Sequence, residues 1–211
     1  VTTVNFSRLS SSIALVACAA SLVMTLAACG SDTEKSSMST PSVAEVATSS
    51  VTESATAASA CPTEAPTNGG APDWTLPGTS GSVGVTGSTD TTAPRVNVGA
   101  PFSVAETQVH TLRAGDGPVV ADTATVSVCY MGVNGRDGTV FDSSYERGAP
   151  VEFPLNGVVP GFHKAIAGQK VGSTVAVAMT SADGYPDGQP SAGIKPGDTL
   201  VFAIKILDAS S

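Results

Sequence analysis

The chain has 211 residues, 18 of them acidic and 10 Lys or Arg, for a formal net charge of −8 at pH 7. That length holds one domain of ordinary size plus extra segments. The acidity, with no basic cluster anywhere, excludes a nucleic-acid partner, whose phosphates need grouped Lys and Arg.

Residues 1–28 read as a secretory signal. Arg8 supplies a positive n-region, and Ile13 to Ala28 is almost wholly apolar or small. The run is short for a transmembrane helix, which takes about 20 apolar residues. It ends in Leu26-Ala27-Ala28-Cys29-Gly30, which resembles a bacterial lipobox. That resemblance implies a diacylglyceryl group on Cys29 and an exported protein lipid-anchored to the outer face of the cytoplasmic membrane. Two acyl chains suffice for stable anchoring, where one binds only marginally. An ordinary secreted protein with a chance cysteine near its cleavage site is the plainer alternative.

Residues 29–60 are mostly Ser, Thr, Ala, Glu and Val with almost no large side chains. Such a segment buries too little apolar surface to offset the entropy of ordering, so it is expected to be a disordered tether. As a random coil it spans roughly 30 Å. Residues 61–106 remain rich in Gly, Pro, Ser and Thr but include Cys61 and the single tryptophan, Trp74. Ser82-Val83-Gly84-Val85-Thr86 alternates like a short strand. These features predict a partly ordered extension that wraps the main domain; a longer linker with one stray Trp fits the composition equally well.

From residue 107 to the end the pattern becomes short alternating runs. Val126, Val128 and Tyr130 share one strand face, with Thr125, Ser127 and Cys129 on the other. Val175, Val177 and Met179 repeat the scheme, as do Leu200, Phe202, Ile204 and Ile206. Asn134-Gly135 and Asp137-Gly138 are turn dipeptides. One segment, Pro160 to Gly168, opens with Pro, closes with Gly and places Phe162 and Ile166 four apart, as a short helix does. The periodicity therefore predicts an α+β domain, an antiparallel sheet packed on one short helix.

Several separated motifs go further. Val128-Cys129-Tyr130-Met131-Gly132, Gly138-Thr139-Val140-Phe141-Asp142-Ser143-Ser144 and the run from Val151 to Phe162 resemble, in order and spacing, the FKBP-type peptidyl-prolyl cis–trans isomerases. So do Gly168-Gln169-Lys170-Val171-Gly172, Gly184-Tyr185 and the run from Gly193 to Phe202. The match covers about Gln108 to Leu207. The resemblance implies an antiparallel half-barrel sheet wrapped around one short helix, with an apolar pocket that isomerises X-Pro bonds and accepts macrolide inhibitors. Carried over by position, it assigns catalytic roles to Tyr130, Asp142, Phe162 and Tyr185, and substrate contacts to Phe141, Phe153, Val158, Val159, Ile194 and Phe202. It implies proline-containing exported polypeptides as substrates. No cofactor or metal is expected, since neither His110 nor His163 has a carboxylate or Cys at metal-ligand spacing. Asp142 is expected to orient Tyr130 or a ligand donor, paired with Arg147, and not to transfer a proton.

The chain also departs from the family pattern. Phe162 stands where a Trp is most common, Val151 takes an often aromatic position, and Asp183-Gly184 replaces a segment that often carries an additional Tyr. These departures predict fewer aromatic contacts, a more mobile flap and modest activity. A non-catalytic FKBP-like protein-binding lipoprotein is the alternative function. Of the four cysteines, Cys18 leaves with the signal and Cys29 is lipidated on this reading, which leaves Cys61 and Cys129 as an even pair. A disulfide between them would pin the extension over the outer sheet face. The alternative is a buried Cys129 thiol and a free Cys61.

Overall fold

The computed structural model describes residues 60–66 and 69–210. The signal segment, Cys29 and all but the last residue of the tether lie outside the described residues.

Among the described residues, nine strands and two α-helical segments follow in chain order. Three strands, β1 (Trp74–Pro77), β2 (Ser80–Thr86) and β3 (Arg95–Ser103), form an antiparallel meander. The remaining strands are β4 (Gln108–Arg113), β5 (Thr125–Asn134), β6 (Val140–Ser143), β7 (Val151–Pro154), β8 (Thr174–Met179) and β9 (Leu200–Ser210). They form one antiparallel sheet in the order β4-β8-β9-β5-β6. β6 and β7 share one edge of β5 in succession, β7 pairing with Thr125–Val128 and β6 with Met131–Val133. The helical segments are α1 (Ser144–Arg147) and α2 (Pro160–Ile166). α2 has Pro at its first position, where a missing N–H costs nothing.

The predicted α+β architecture is what the strands build, with α2 packed on β8. The apolar faces read from alternation meet in one core: Val126, Val128, Tyr130, Val175, Val177, Met179, Leu200, Phe202, Ile204 and Ile206 pack with Phe162, Ala165 and Ile166 of α2. Fully burying a Val or Ile contributes about 1.5–3 kcal/mol, so this cluster dominates the fold. The helix lies close on the sheet because Gly161 has no side chain; a Cβ there would stand 2.8 Å from the Met179 side chain.

The opposite face of the sheet is also covered. Ala176, Ala178, Val201 and Ala203 pack against Val83, Val85 and Phe102 of the meander, with Trp74, Leu76, Val96 and Val98 around them. The small residues of β8 and β9 let the second layer approach. Every residue of β8 is buried, the burial of a central strand between two layers. The extension is thus a folded layer, and the boundary placed near residue 107 falls between β3 and β4. The Trp74 ring stacks on His110 of β4, centroids 5.4 Å apart and planes within 5°.

Cys61 and Cys129 form a disulfide across 68 residues. Closing a loop of that length stabilises by about 4 kcal/mol in the chain-entropy model. Both sulfurs are buried with Ala93 and Tyr145 in a third, smaller apolar cluster.

Candidate active site

A cavity of about 350 Å³ opens between the sheet and α2. β5 contributes Tyr130, β6 contributes Phe141 and Asp142, β7 contributes Phe153 and β9 contributes Phe202. The turn entering α2 contributes Gly157, Val158 and Val159, the helix contributes Phe162, and Tyr185 comes from the loop after β8. Alternation turns Tyr130, Phe153 and Phe202 toward one space, while Phe141 and Asp142 are consecutive on β6, whose pairing with β5 shifts register between Gly132 and Val133.

The aromatic rings hold each other edge to face. Phe162 is the hub: it lies 5.4 Å from Phe202, 5.7 Å from Phe153 and 5.9 Å from Tyr130, with interplanar angles of 82°, 73° and 86°. Phe141 stands perpendicular to Phe202 at 5.5 Å. Such pairs contribute about 0.5–1.5 kcal/mol each beyond the area they bury, so the walls are pre-formed. Gly132 makes room for them. A Cβ at Gly132 would fall 2.6 Å from Phe141 and 2.8 Å from Phe202.

The polar edge is a closed triangle. The Tyr130 hydroxyl donates to Asp142 Oδ2. Arg147 donates to Asp142 Oδ1 at 2.6 Å and to the Tyr130 oxygen at 3.1 Å. Its guanidinium also stands 5.8 Å from the Tyr130 ring centre. Burial pushes the Tyr130 phenol up, and its bond to Asp142 adds to that, to about 12. Burial pushes the Asp142 carboxyl up as well, but the Tyr130 and Arg147 hydrogen bonds and the Arg147 charge outweigh it and hold the group below its ordinary value. At neutral pH Tyr130 is therefore a protonated phenol and Asp142 an ionised carboxylate with both oxygens engaged.

Two loops are tied down by carboxylates. Asp183 accepts from Lys164 Nζ at 2.8 Å and from the Thr107 hydroxyl at 2.5 Å, tying the start of the Tyr185 loop to α2. The looseness expected at Asp183-Gly184 is opposed at that point by these bonds. Asp198, 8% exposed, gathers the second loop: it accepts from Asn134 Nδ2 at 2.7 Å, from the Lys195 N–H at 2.9 Å and from Arg136 Nε at 3.2 Å. Arg136 also donates to the Gly193 carbonyl.

Nine of the ten residues assigned to the pocket by position line this cavity. Ile194 is the tenth. It is 3% exposed and packs in the main core beside Phe162 and Phe202, and it is not among the residues that line the cavity. Its backbone pairs with Gln189 in both directions. Gly157, which lines the cavity, and Gly132, which shapes it, were not singled out from sequence. A glycine inside a strand pattern does signal a close approach, but not of what.

The FKBP-type peptidyl-prolyl cis-trans isomerase family model matches residues 117–207. An FK506-binding protein of Streptomyces anulatus is 33% identical over 117 residues, covering 54% of this chain and 94% of the relative. The FKBP-type 22 kDa peptidyl-prolyl cis-trans isomerase of Escherichia coli K12 is 41% identical over 101 residues, covering 48% of each chain; this chain thus spans about half the length of that relative. A peptidyl-prolyl cis-trans isomerase of Pseudomonas syringae is a solved structure similar at 28% identity and a TM-score of 0.45, over 50% of this chain and 76% of that one. The chain belongs to the family of FKBP-type peptidyl-prolyl cis–trans isomerases.

Proposed function

We propose that this protein is a peptidyl-prolyl cis–trans isomerase that assists the folding of exported proteins at the outer face of the cytoplasmic membrane, anchored through lipid on Cys29. The observation that carries the catalytic reading is the cavity itself, walled by Phe141, Phe153, Phe162 and Phe202 and edged by the Tyr130–Asp142–Arg147 triangle.

Rotation about a peptide bond faces a barrier of about 18–20 kcal/mol because the planar form is resonance-stabilised. A twisted X-Pro amide has lost that charge separation, so an apolar site disfavours it less than the planar ground state. A dry cavity shaped for the twisted form lowers the barrier by differential binding. The prolyl ring sits on Phe162 between the other Phe rings, and the Val159 N–H and Tyr185 hydroxyl are the donors for substrate carbonyls. Asp142, ionised and doubly engaged, orients Tyr130 and Arg147 and takes no proton. Macrolide inhibitors compete for the same space.

Export and anchorage are supported by the signal-like start, by Leu26-Ala27-Ala28-Cys29 and by a Cys61–Cys129 disulfide of the kind that persists in oxidising compartments. The deciding experiment is an X-Pro peptide exchange assay on the full chain, with and without a macrolide. A macrolide-sensitive rate above background is expected. A folded protein with no rate above background would refute catalysis and leave the pocket a binding module. Mass spectrometry of the membrane-extracted protein should find a diacylglyceryl group on Cys29; an unmodified thiol there overturns the anchor.

A further inference from the structure

The helix α1 cannot hold itself. Nucleating a helix fixes several dihedrals for one hydrogen bond, and isolated helices below about 12 residues are marginal in water. Yet this four-residue helix carries Arg147, which reaches both Tyr130 and Asp142.

Besides its own caps, the Ser143 hydroxyl at one end and the Gly148 N–H at the other, α1 is held by the chain before the meander and the strap between β2 and β3. The Cys61 N–H donates to the carbonyl of Gly148, the residue that caps α1, at 3.2 Å. Cys61 Sγ lies 3.5 Å from the Ser144 hydroxyl, and that hydroxyl accepts the Tyr130 N–H at 2.8 Å. Tyr145, 2% exposed, packs with Cys61, Ala93 and Cys129 and donates its hydroxyl to Ser88 at 2.9 Å. The Ala93 N–H closes the circuit on the Glu64 carbonyl at 2.7 Å. The arm (61–64) and the strap (88–93) therefore grip α1 together, and the disulfide fastens the arm to Cys129, next to Tyr130.

We propose that Cys61 and Tyr145 are positioning residues of the isomerase site: the disulfide-pinned arm and the strap fix α1, and α1 fixes Arg147 against Tyr130 and Asp142. The inference rests on the isomerase reading above for its kinetic consequence, while the placement of Arg147 stands apart from it. The extension is then part of the catalytic apparatus and not merely a cover for the outer sheet face.

The test compares Cys61→Ser and Tyr145→Phe with Val83→Ala, a core truncation in the meander, in the full chain. Two quantities are read: kcat and KM on an X-Pro tetrapeptide, and the NMR signal of the Arg147 guanidinium. Loosening a positioned group costs less than displacing it by 1 Å, which can cost a hundredfold. Both grip variants should therefore lose about three- to tenfold in kcat with KM nearly unchanged, and both should shift or broaden the Arg147 signal. Val83→Ala should lower the unfolding midpoint and leave both readouts in place. Unchanged kcat and an unchanged Arg147 signal in folded grip variants would overturn the proposal, as would an equal loss in Val83→Ala. If Cys61→Ser fails to fold, Tyr145→Phe decides alone. If wild type is inactive while the Arg147 signal still responds only to the grip variants, the isomerase reading fails and the positioning of Arg147 stands.

Discussion

Gly132→Ala offers a sharp test of the pocket, because it adds one methyl group at a known place. Gly132 lies inside β5, paired with Asp142 on one side and Phe202 on the other. An added Cβ would stand 2.6 Å from the tip of the Phe141 ring and 2.8 Å from Phe202. Ordinary carbon contacts are about 3.5–4.0 Å, so both rings must retreat by about 1 Å. They are also partners in a perpendicular pair at 5.5 Å, so neither moves alone. Overpacking of this kind costs typically about 1–3 kcal/mol, which a folded domain survives. A 1 Å misplacement of groups that shape a transition state can cost about a hundredfold. The expected outcome is a folded variant with kcat/KM reduced about ten- to a hundredfold in X-Pro peptide exchange. Urea unfolding run alongside would report the stability loss. Full activity in a folded Gly132→Ala protein would mean that the Phe141–Phe202 wall does not shape the reaction.

Other predictions follow from the polar groups. Tyr185→Phe removes one hydroxyl and keeps the ring on the cavity wall; losing one neutral hydrogen bond should lower kcat/KM about two- to tenfold, and an unchanged value would discard the hydroxyl as a donor. Asp198→Ala leaves the buried Asn134 amide without its acceptor and frees the Lys195 turn, so denaturant unfolding should register a loss of about 1–3 kcal/mol. Acid should also weaken the fold. Asp142, Asp183 and Asp198 are all held below the ordinary carboxylate value of 3.8, so between their folded and unfolded values the unfolded chain binds more protons. The stability they contribute is complete above that range and is lost as pH falls through the folded values. The urea midpoint should stay nearly flat from pH 7 to pH 5 and drop below about pH 4, the drop being smaller in Asp198→Asn. A midpoint that holds to pH 3 would contradict the assigned partners.

The amino-acid order determined a great deal here by local rules. Period-two alternation marked the inward faces of β5, β8 and β9, and Pro160 with Gly168 bracketed α2, because strand and helix geometry impose those spacings on any chain. The family motifs placed nine cavity-lining residues for the same reason: they sit at the ends and faces of those elements. Folding in three dimensions decided what the alternation could not express. Ala176 and Ala178 lie on the strand face opposite Val175, Val177 and Met179, and they are buried because residues far upstream supply a second layer over them. Ile194 reads as a pocket position, and its packing in the core beside Phe162 and Phe202 is a matter of tertiary contacts. Which of Cys61's alternatives holds, and that a four-residue helix would be gripped by the arm beside Tyr130, depends on contacts between segments tens of residues apart. Local propensity carries no information about such contacts; the packing of the whole chain against its own sheet does.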